Sequence, residues 1–323
     1  MDDLTTLLHD AVEDVEPTDR LAAIRQQTRT RRTQRWYAVG GAVLATAAVV
    51  TGIAIAAWPS TDPGPGQSKD PTASDSVAPD PPFPTYYVGD TPQGARLFRY
   101  FEPAPEGADS GVATALNLLT AVPSDPDYRT LWPEGAFAGG WIDYAGGLAT
   151  VLLTDGSLHD RPAGMSAAQA RLALEQVVYT VQAQAQALIP VRFQVEGNPV
   201  DQVYGVPTSE PLSRAPELDV LALVNISNPV EGRVVEGHFS ADGLASSFEG
   251  TVRWELRDAG GAVVRSDYST GTFDPEQLTE WATGDIDVSD LPAGTYTFAA
   301  ATDDPSDGEG GGPTTDTRTI TIR

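Results

Sequence analysis

The side chains that most often carry out chemistry are scarce in this chain. It has three histidines, His9, His159 and His238, and no cysteine. A serine triad needs a histidine beside a nucleophile, and a zinc site needs histidine or cysteine at short, fixed spacing. Neither a His-Glu-x-x-His motif nor a Gly-x-Ser-x-Gly motif occurs. The sequence therefore predicts no catalytic residue, no metal ligand and no cofactor.

Carboxylates are abundant instead. The chain has 45 Asp and Glu residues and 20 Lys and Arg residues, so its net charge is −25. A surface this acidic repels nucleic acid, so no nucleic-acid partner is expected. The segment 303–313 resembles a calcium loop in composition but lacks the spacing of its ligands. We interpret it as a solvated loop, and the sequence leaves open whether it binds a cation.

An uncharged stretch at 36–58 predicts one transmembrane helix. Its inner 20 residues, 38–57, contain only Ala, Val, Gly, Ile, Leu and Thr, between Trp36 and Trp58. A helix of that length spans roughly 30 Å, the thickness of a bilayer core. Six arginines precede it, which predicts a cytoplasmic N-terminus and extracytoplasmic C-terminal domains in the cell membrane. A cleaved signal peptide is the rival interpretation, but a region of 35 residues with seven acidic side chains is unlike a signal n-region.

The cytoplasmic segment 1–35 contains an apolar stripe at helical spacing. Its members are Leu4, Leu7, Leu8, Val12 and Val15. Such a stripe predicts an amphipathic helix that uses its apolar face to bind a cytoplasmic protein partner. The alternative is that this segment only sets the topology of the anchor.

The segment 59–84 is predicted to be an extended linker, because eight of its residues are proline. The next segment, 85–214, predicts an α+β domain with the order ββαββαβ, in which helices cover one face of a mixed sheet. The helices are expected at 111–122 and 166–188, with apolar stripes that reach Val122 and Leu188.

Two further expectations concern this α+β domain. Ser166 and Gln169 form the pattern of a capping box at the start of the second helix. Tyr128 and Trp132 lie in an outer loop between the helices, and they are candidates for a binding surface.

The segment 217–323 predicts an all-β sandwich of seven short strands, the first two near 218–226 and 233–239, with no helix and a core of its own. Val252, Trp254 and Leu256 alternate with charged residues, which indicates a strand with one buried face. The stretch from Leu291 to Tyr296 has the pattern of a tyrosine corner, a feature of immunoglobulin-like domains.

These motifs carry a family resemblance. Residues 177–180, 191–200 and 211–214 look like the second half of a GerMN domain, the sporulation and spore-germination domain. Residues 248–256 and 291–298 resemble the Gmad2 domain, an immunoglobulin-like module that often follows GerMN. The resemblance implies an envelope module associated with germination or sporulation, and it supplies no catalytic residues.

The N-terminal segment is similar to the starts of actinobacterial membrane proteins related to anti-sigma factors. Together these features predict a membrane-anchored, non-catalytic binding module whose outer partner is an envelope protein or a cell-wall component. A transmembrane regulator with an anti-sigma-like segment and a cell-wall-modifying enzyme are the alternatives.

Overall fold

The computed structural model describes residues 83–103, 105, 111–303 and 312–323. Within those ranges, no helix combines the length and the apolar character needed to cross a membrane. The predicted span at 36–58 and the stripe of Leu4, Leu7, Leu8, Val12 and Val15 lie outside the described residues. So do most of the predicted linker and residues 304–311 of the acidic loop.

The described part contains sixteen strands and three α-helices. The helices are α1 (Val112–Thr120), α2 (Ala167–Ala185) and α3 (Glu217–Val220). The strands before α3 are β1 (Phe83–Thr91), β2 (Gly94–Glu102), β3 (Phe137–Asp143), β4 (Leu148–Leu153), β5 (Val191–Val195), β6 (Asn198–Pro199), β7 (Gln202–Val203) and β8 (Val206–Pro207). The strands after it are β9 (Val224–Asn228), β10 (Arg233–Val235), β11 (His238–Ala245), β12 (Thr251–Arg257), β13 (Val263–Thr270), β14 (Thr279–Asp287), β15 (Gly294–Thr302) and β16 (Thr315–Ile322).

The first domain has the predicted order ββαββαβ, and its mixed sheet is confirmed. Four strands lie in the order β3-β4-β5-β6, with β4 and β5 parallel and the outer pairs antiparallel. The two long helices and one face of this sheet share a single apolar core. Strands β1 and β2 do not join the mixed sheet; they form a separate antiparallel hairpin.

The capping box is confirmed at the start of α2. The Ser166 hydroxyl accepts a hydrogen bond from the Gln169 backbone N–H, and the Gln169 side chain accepts one from the Ser166 backbone. These two bonds satisfy N–H groups that a helix start leaves without partners. The start of α2 is therefore well determined by its sequence.

Both helices end earlier than predicted. α1 ends at Thr120 and α2 at Ala185, where Gln186 takes a left-handed backbone conformation with φ 51°. Val122 and Leu188 therefore lie beyond the helices, and both are largely exposed. At the other end of the domain, Phe83 belongs to β1 and is buried, so the predicted linker is two residues too long.

The second domain is a sandwich of two sheets, with strand orders β10-β16-β15-β12-β13 and β14-β11-β9. Trp254 and Phe298 pack inside it with ring centroids 6.0 Å apart. The Tyr296 hydroxyl donates a 2.8 Å hydrogen bond to the Pro292 carbonyl, which confirms the tyrosine corner.

The structure corrects the strand count of the second domain from seven to eight. The segment predicted as one strand at 233–239 is two strands in different sheets, β10 and β11. Gly237 lies between them with φ 69°, a left-handed conformation that glycine adopts easily, so the chain turns from one sheet to the other there. The segment predicted as a strand at 218–226 begins as α3 and becomes β9 only at Val224.

Candidate functional site

The hairpin β1–β2 connects the two domains. On one side it contacts α2, where the Tyr86 N–H donates to the Thr180 hydroxyl and the Gln176 side chain donates to the Tyr86 carbonyl. On the other side the Ala222 N–H donates to the Leu97 carbonyl at 2.8 Å. The hairpin is thus shared, and both domains lie in one compact unit, residues 75–323.

Two apolar clusters fill this junction. The first combines Leu97 and Tyr179 of the first domain with Leu221 and Leu278. The second is mostly aromatic, and it contains Tyr87, Phe98, Tyr100, Tyr128 and Ala222. The expectation of two separate cores is therefore incomplete, because each domain has its own core and the junction adds two shared clusters.

A buried arginine joins the domains next to the aromatic cluster. The Arg318 guanidinium lies 2.9 Å from the Asp125 carboxylate of the first domain and 2.8 Å from the Asp316 carboxylate of its own strand. It also donates to the Tyr128 hydroxyl and to the Ile226 carbonyl, and it lies over the rings of Tyr100 and Tyr128. None of the three charged side chains is more than 1% exposed. Such a network holds its partners in one geometry, because losing any member leaves a buried charge unpaired.

Asp125 is the titrating member of this network. Burial raises the pKa of its carboxyl group to about 7, while the charge of Arg318 acts in the opposite direction and lowers it. Its proton occupancy in the folded protein therefore changes near neutral pH.

A groove opens beside the junction, between the β1–β2 turn, the first turns of α2, and the segment 206–220. Its volume is about 690 Å³, within the range of ligand pockets. The buried side chains of Leu172 and Leu174 lie on its floor. The rest of the apolar lining comes from Ala95, Ala168, Val206, Leu212, Ala215 and Val220.

Charged side chains surround this apolar floor. Arg96 is held by the carbonyls of Leu218 and Asp219. Glu175 accepts a 3.1 Å hydrogen bond from the Ala215 N–H, and burial raises the pKa of its carboxyl group. Within the described residues, Arg171 forms no hydrogen bond or ion pair, so it is available to a ligand. The arrangement suits binding of an apolar side chain that is followed by a charged or polar group.

The structure places both aromatic candidates away from this groove and away from the surface. Tyr128 is buried in the junction, and its hydroxyl donates a 2.6 Å hydrogen bond to Asp316. Trp132 is buried in the first core, and its indole N–H donates to the Ala173 carbonyl. Neither side chain forms the exposed surface that a loop position suggested, because both fill apolar clusters.

The two histidines of the described residues, His159 and His238, have carboxylate neighbours. The ring of His159 lies 2.9 Å from Asp160 and 3.3 Å from Asp201, and the hydrogen bond with Asp160 raises its pKa. His238 lies 3.8 Å from Asp287. In the ranges that the structure describes, no three His, Asp or Glu side chains are grouped as a metal site would need.

Sequence reasoning missed the groove and Arg318. The groove is built from three segments that are distant in the sequence, so no local motif marks it. A signal for Arg318 did exist. It lies two and four residues before the buried Ile320 and Ile322 on β16, so it belongs to the same, buried face of the strand.

Comparisons with known families find one match in each domain. Residues 84–201 match the Germane family, described as sporulation and spore germination. Residues 223–309 match Gmad2, described as the immunoglobulin-like domain of bacterial spore germination. The two matched segments lie in the order that the resemblance implied. No curated protein matches the chain.

Solved structures give partial similarities. The tandem GerMN domains of the sporulation protein GerM from Bacillus subtilis share 15% identity, with a TM-score of 0.31. That match covers 64% of this chain and 62% of the GerM structure, less than two thirds of its length. CopC from Methylosinus trichosporium OB3b also shares 15% identity, with a TM-score of 0.22 over 31% of this chain and 92% of CopC.

Proposed function

We propose that this protein is a membrane-anchored, extracytoplasmic binding module of the cell envelope, and that its groove beside the junction receives a peptide segment of an envelope protein. The observation that carries this proposal is the groove itself, because its apolar floor and the available Arg171 lie where both domains contribute to the wall. The spore-germination type of both domains supports a role in the envelope.

The anchor is a separate part of the proposal. It is supported by the uncharged run at 38–57 and by the six arginines before it. Protease added to intact protoplasts should digest epitopes after Pro59 and spare one at Asp2. A mature protein that begins near Ala57 would mean that the segment is a cleaved signal.

Site-specific photo-crosslinking in living cells tests the groove. A photoreactive amino acid in place of Arg171, at the groove edge, should form one main adduct with an envelope protein. The same substitution at Val263, which is exposed on the second domain, is the matched control and should not form that adduct.

Filling the groove sharpens this test. Ala168→Trp, made together with the photoreactive residue, should reduce the adduct, because a large ring at this exposed groove position occupies the space of the peptide. Ala293→Trp, at an exposed position of the second domain, should leave it unchanged. Equal adducts at Arg171 and Val263, or an adduct insensitive to Ala168→Trp, would contradict a groove-bound peptide.

A wall-modifying enzyme is the competing outcome. The purified full-length chain should release no soluble fragments from peptidoglycan. If the chain releases fragments, and a single Asp or Glu substitution abolishes that release, the protein is an enzyme and the binding proposal is wrong.

A further inference from the structure

The mixed sheet of the first domain has a second face, opposite its helices. A Cβ atom on Gly140 would meet Val112 and Leu116 of α1 at 2.9 and 3.0 Å, so Gly140 lies against the helix. Side chains alternate along a strand, so the neighbouring Trp141 lies on the opposite face. Trp141 is 49% exposed there.

Strand register places three side chains of this face in one row. Trp141 on β3 is opposite Thr150 on β4, and Thr150 is opposite Arg192 on β5. Two strand spacings separate the ends of the row, about 10 Å. Thr150 is only 5% exposed between its two large neighbours. In the next row, Gly139 is opposite Leu152, and Leu152 is opposite Gln194.

The two ends of the row offer complementary chemistry. The ring of Trp141 is a flat apolar surface with one N–H donor. Arg192 is partly exposed and, in the described part of the chain, forms no hydrogen bond or ion pair. A Cβ atom on Gly139 would meet nothing within 4 Å, so the surface next to the row is open. Arg192 can pair locally with an anionic group, although the net charge of −25 repels anions at longer range.

We propose that this face binds a glycan whose sugar rings carry carboxylate groups. One ring stacks on Trp141, a carboxylate pairs with Arg192, and the Gln194 amide bonds to a hydroxyl or acetamido group. Two linked sugar rings cover the distance between the ends of the row. A sheet face that offers an aromatic ring and hydrogen-bond donors fits a saccharide, whereas a peptide side chain usually binds in an apolar pocket.

The experiment is a binding titration with the full-length chain in detergent. The first probe is peptidoglycan glycan strands freed of their stem peptides by an amidase, which leaves a carboxylate on each muramic ring. The second probe is a neutral chitin oligosaccharide. Trp141→Ala should weaken binding of both probes about tenfold, the size of one lost aromatic contact. Arg192→Gln should weaken only the anionic probe, by about tenfold, because a charge-assisted hydrogen bond is lost.

Matched controls lie on the second domain. Tyr268→Ala removes an exposed aromatic ring, and Arg253→Gln removes an exposed arginine, both on the outer face of the five-stranded sheet. Both controls should bind as the wild type does. Trp141→Phe keeps an aromatic ring and should restore part of the affinity lost in Trp141→Ala.

Three results would overturn the proposal. They are no binding of either probe, equal losses in the controls, and binding of stem peptides in place of the glycan strands. This inference goes beyond the groove and does not depend on it. A failed crosslink at Arg171 leaves the titration interpretable, and a failed titration leaves the groove interpretable.

Discussion

The core of the sandwich and the junction both exclude water, but they differ in the side chains that they bury. The core places Trp254 against Phe298 and closes around aliphatic side chains. The junction buries a guanidinium between the carboxylates of Asp125 and Asp316. An apolar core tolerates substitutions that keep volume, whereas a buried ionic network depends on every member. Each domain is therefore stabilised by apolar packing, whereas the junction adds a buried ionic network to its two apolar clusters.

Arg318→Ala should have the largest effect. It leaves Asp125 and Asp316 buried without their cation, and breaking a buried ion pair costs about 5 kcal/mol. Urea denaturation should show a loss of this size and two separate transitions, one for each domain. Arg253→Ala is the control, because Arg253 is largely exposed and its pair with the half-buried Asp303 should contribute about 1 kcal/mol or less. Similar losses in both variants would mean that the junction network is not what joins the domains.

Trp254→Ala should come next, with a loss of about 4 kcal/mol, because it opens a large cavity in the sandwich. In contrast with Arg318→Ala, it leaves the junction network intact, so the two domains should still unfold in one transition, with a lower midpoint. Tyr268→Ala, an exposed aromatic on β13, should change stability little. An unchanged midpoint for Trp254→Ala would contradict the core assignment.

Tyr296→Phe should have a smaller effect, about 1 kcal/mol, because it removes one hydrogen bond and keeps the ring in place. Thermal melting measures the difference, and Tyr268→Phe serves as the exposed control. A loss of stability as large as that of Trp254→Ala would show that the Tyr296 hydroxyl contributes more than its hydrogen bond to Pro292.

Asp125→Asn should have the smallest effect near pH 4, where the amide resembles the protonated carboxyl group, and its effect should grow as pH rises. Burial raises the pKa of Asp125 to about 7 in the folded protein, above the value of about 4 of a solvated aspartate. Between these values the folded chain binds more protons than the unfolded chain, so the stability of the wild type falls as pH rises from about 4 to about 7. The asparagine variant should show a flatter dependence of melting temperature on pH in this window. Parallel curves for the two proteins would contradict a titrating Asp125.

Much of each domain could be predicted from local patterns, because those patterns have local causes. The capping box at Ser166, the alternation around Trp254 and the corner at Tyr296 each involve residues a few positions apart. Helix ends were less predictable. Val122 and Leu188 continue the apolar spacing, but the backbone leaves the helix before reaching them. Apolar spacing alone cannot mark that point, since it carries no information about the chain's next direction.

The junction could not be predicted, because its partners are far apart and its charged residues look like surface residues. Asp125 lies in a loop rich in Pro, Asp and Gly, where solvation is the ordinary explanation of a carboxylate. Only the fold brings it to Arg318. For Tyr128 and Trp132 the error is similar, because buried residues look like surface residues in the sequence. Aromatic side chains in a loop suggest a binding surface, whereas here they fill the spaces between elements.

The position of β16 has a consequence for the order of folding. It carries Asp316 and Arg318, pairs with both β10 and β15, and meets Asp125 across 193 residues of chain. Contacts of such long range close slowly, because a large loop must lose its freedom before they form. The hairpin β1–β2 and the cap of α2 close within a few residues of chain. We therefore expect the first domain to form early. Until β16 pairs with its neighbours, the junction face of the hairpin should stay uncovered. Refolding should then end with a slow step whose rate depends on Arg318.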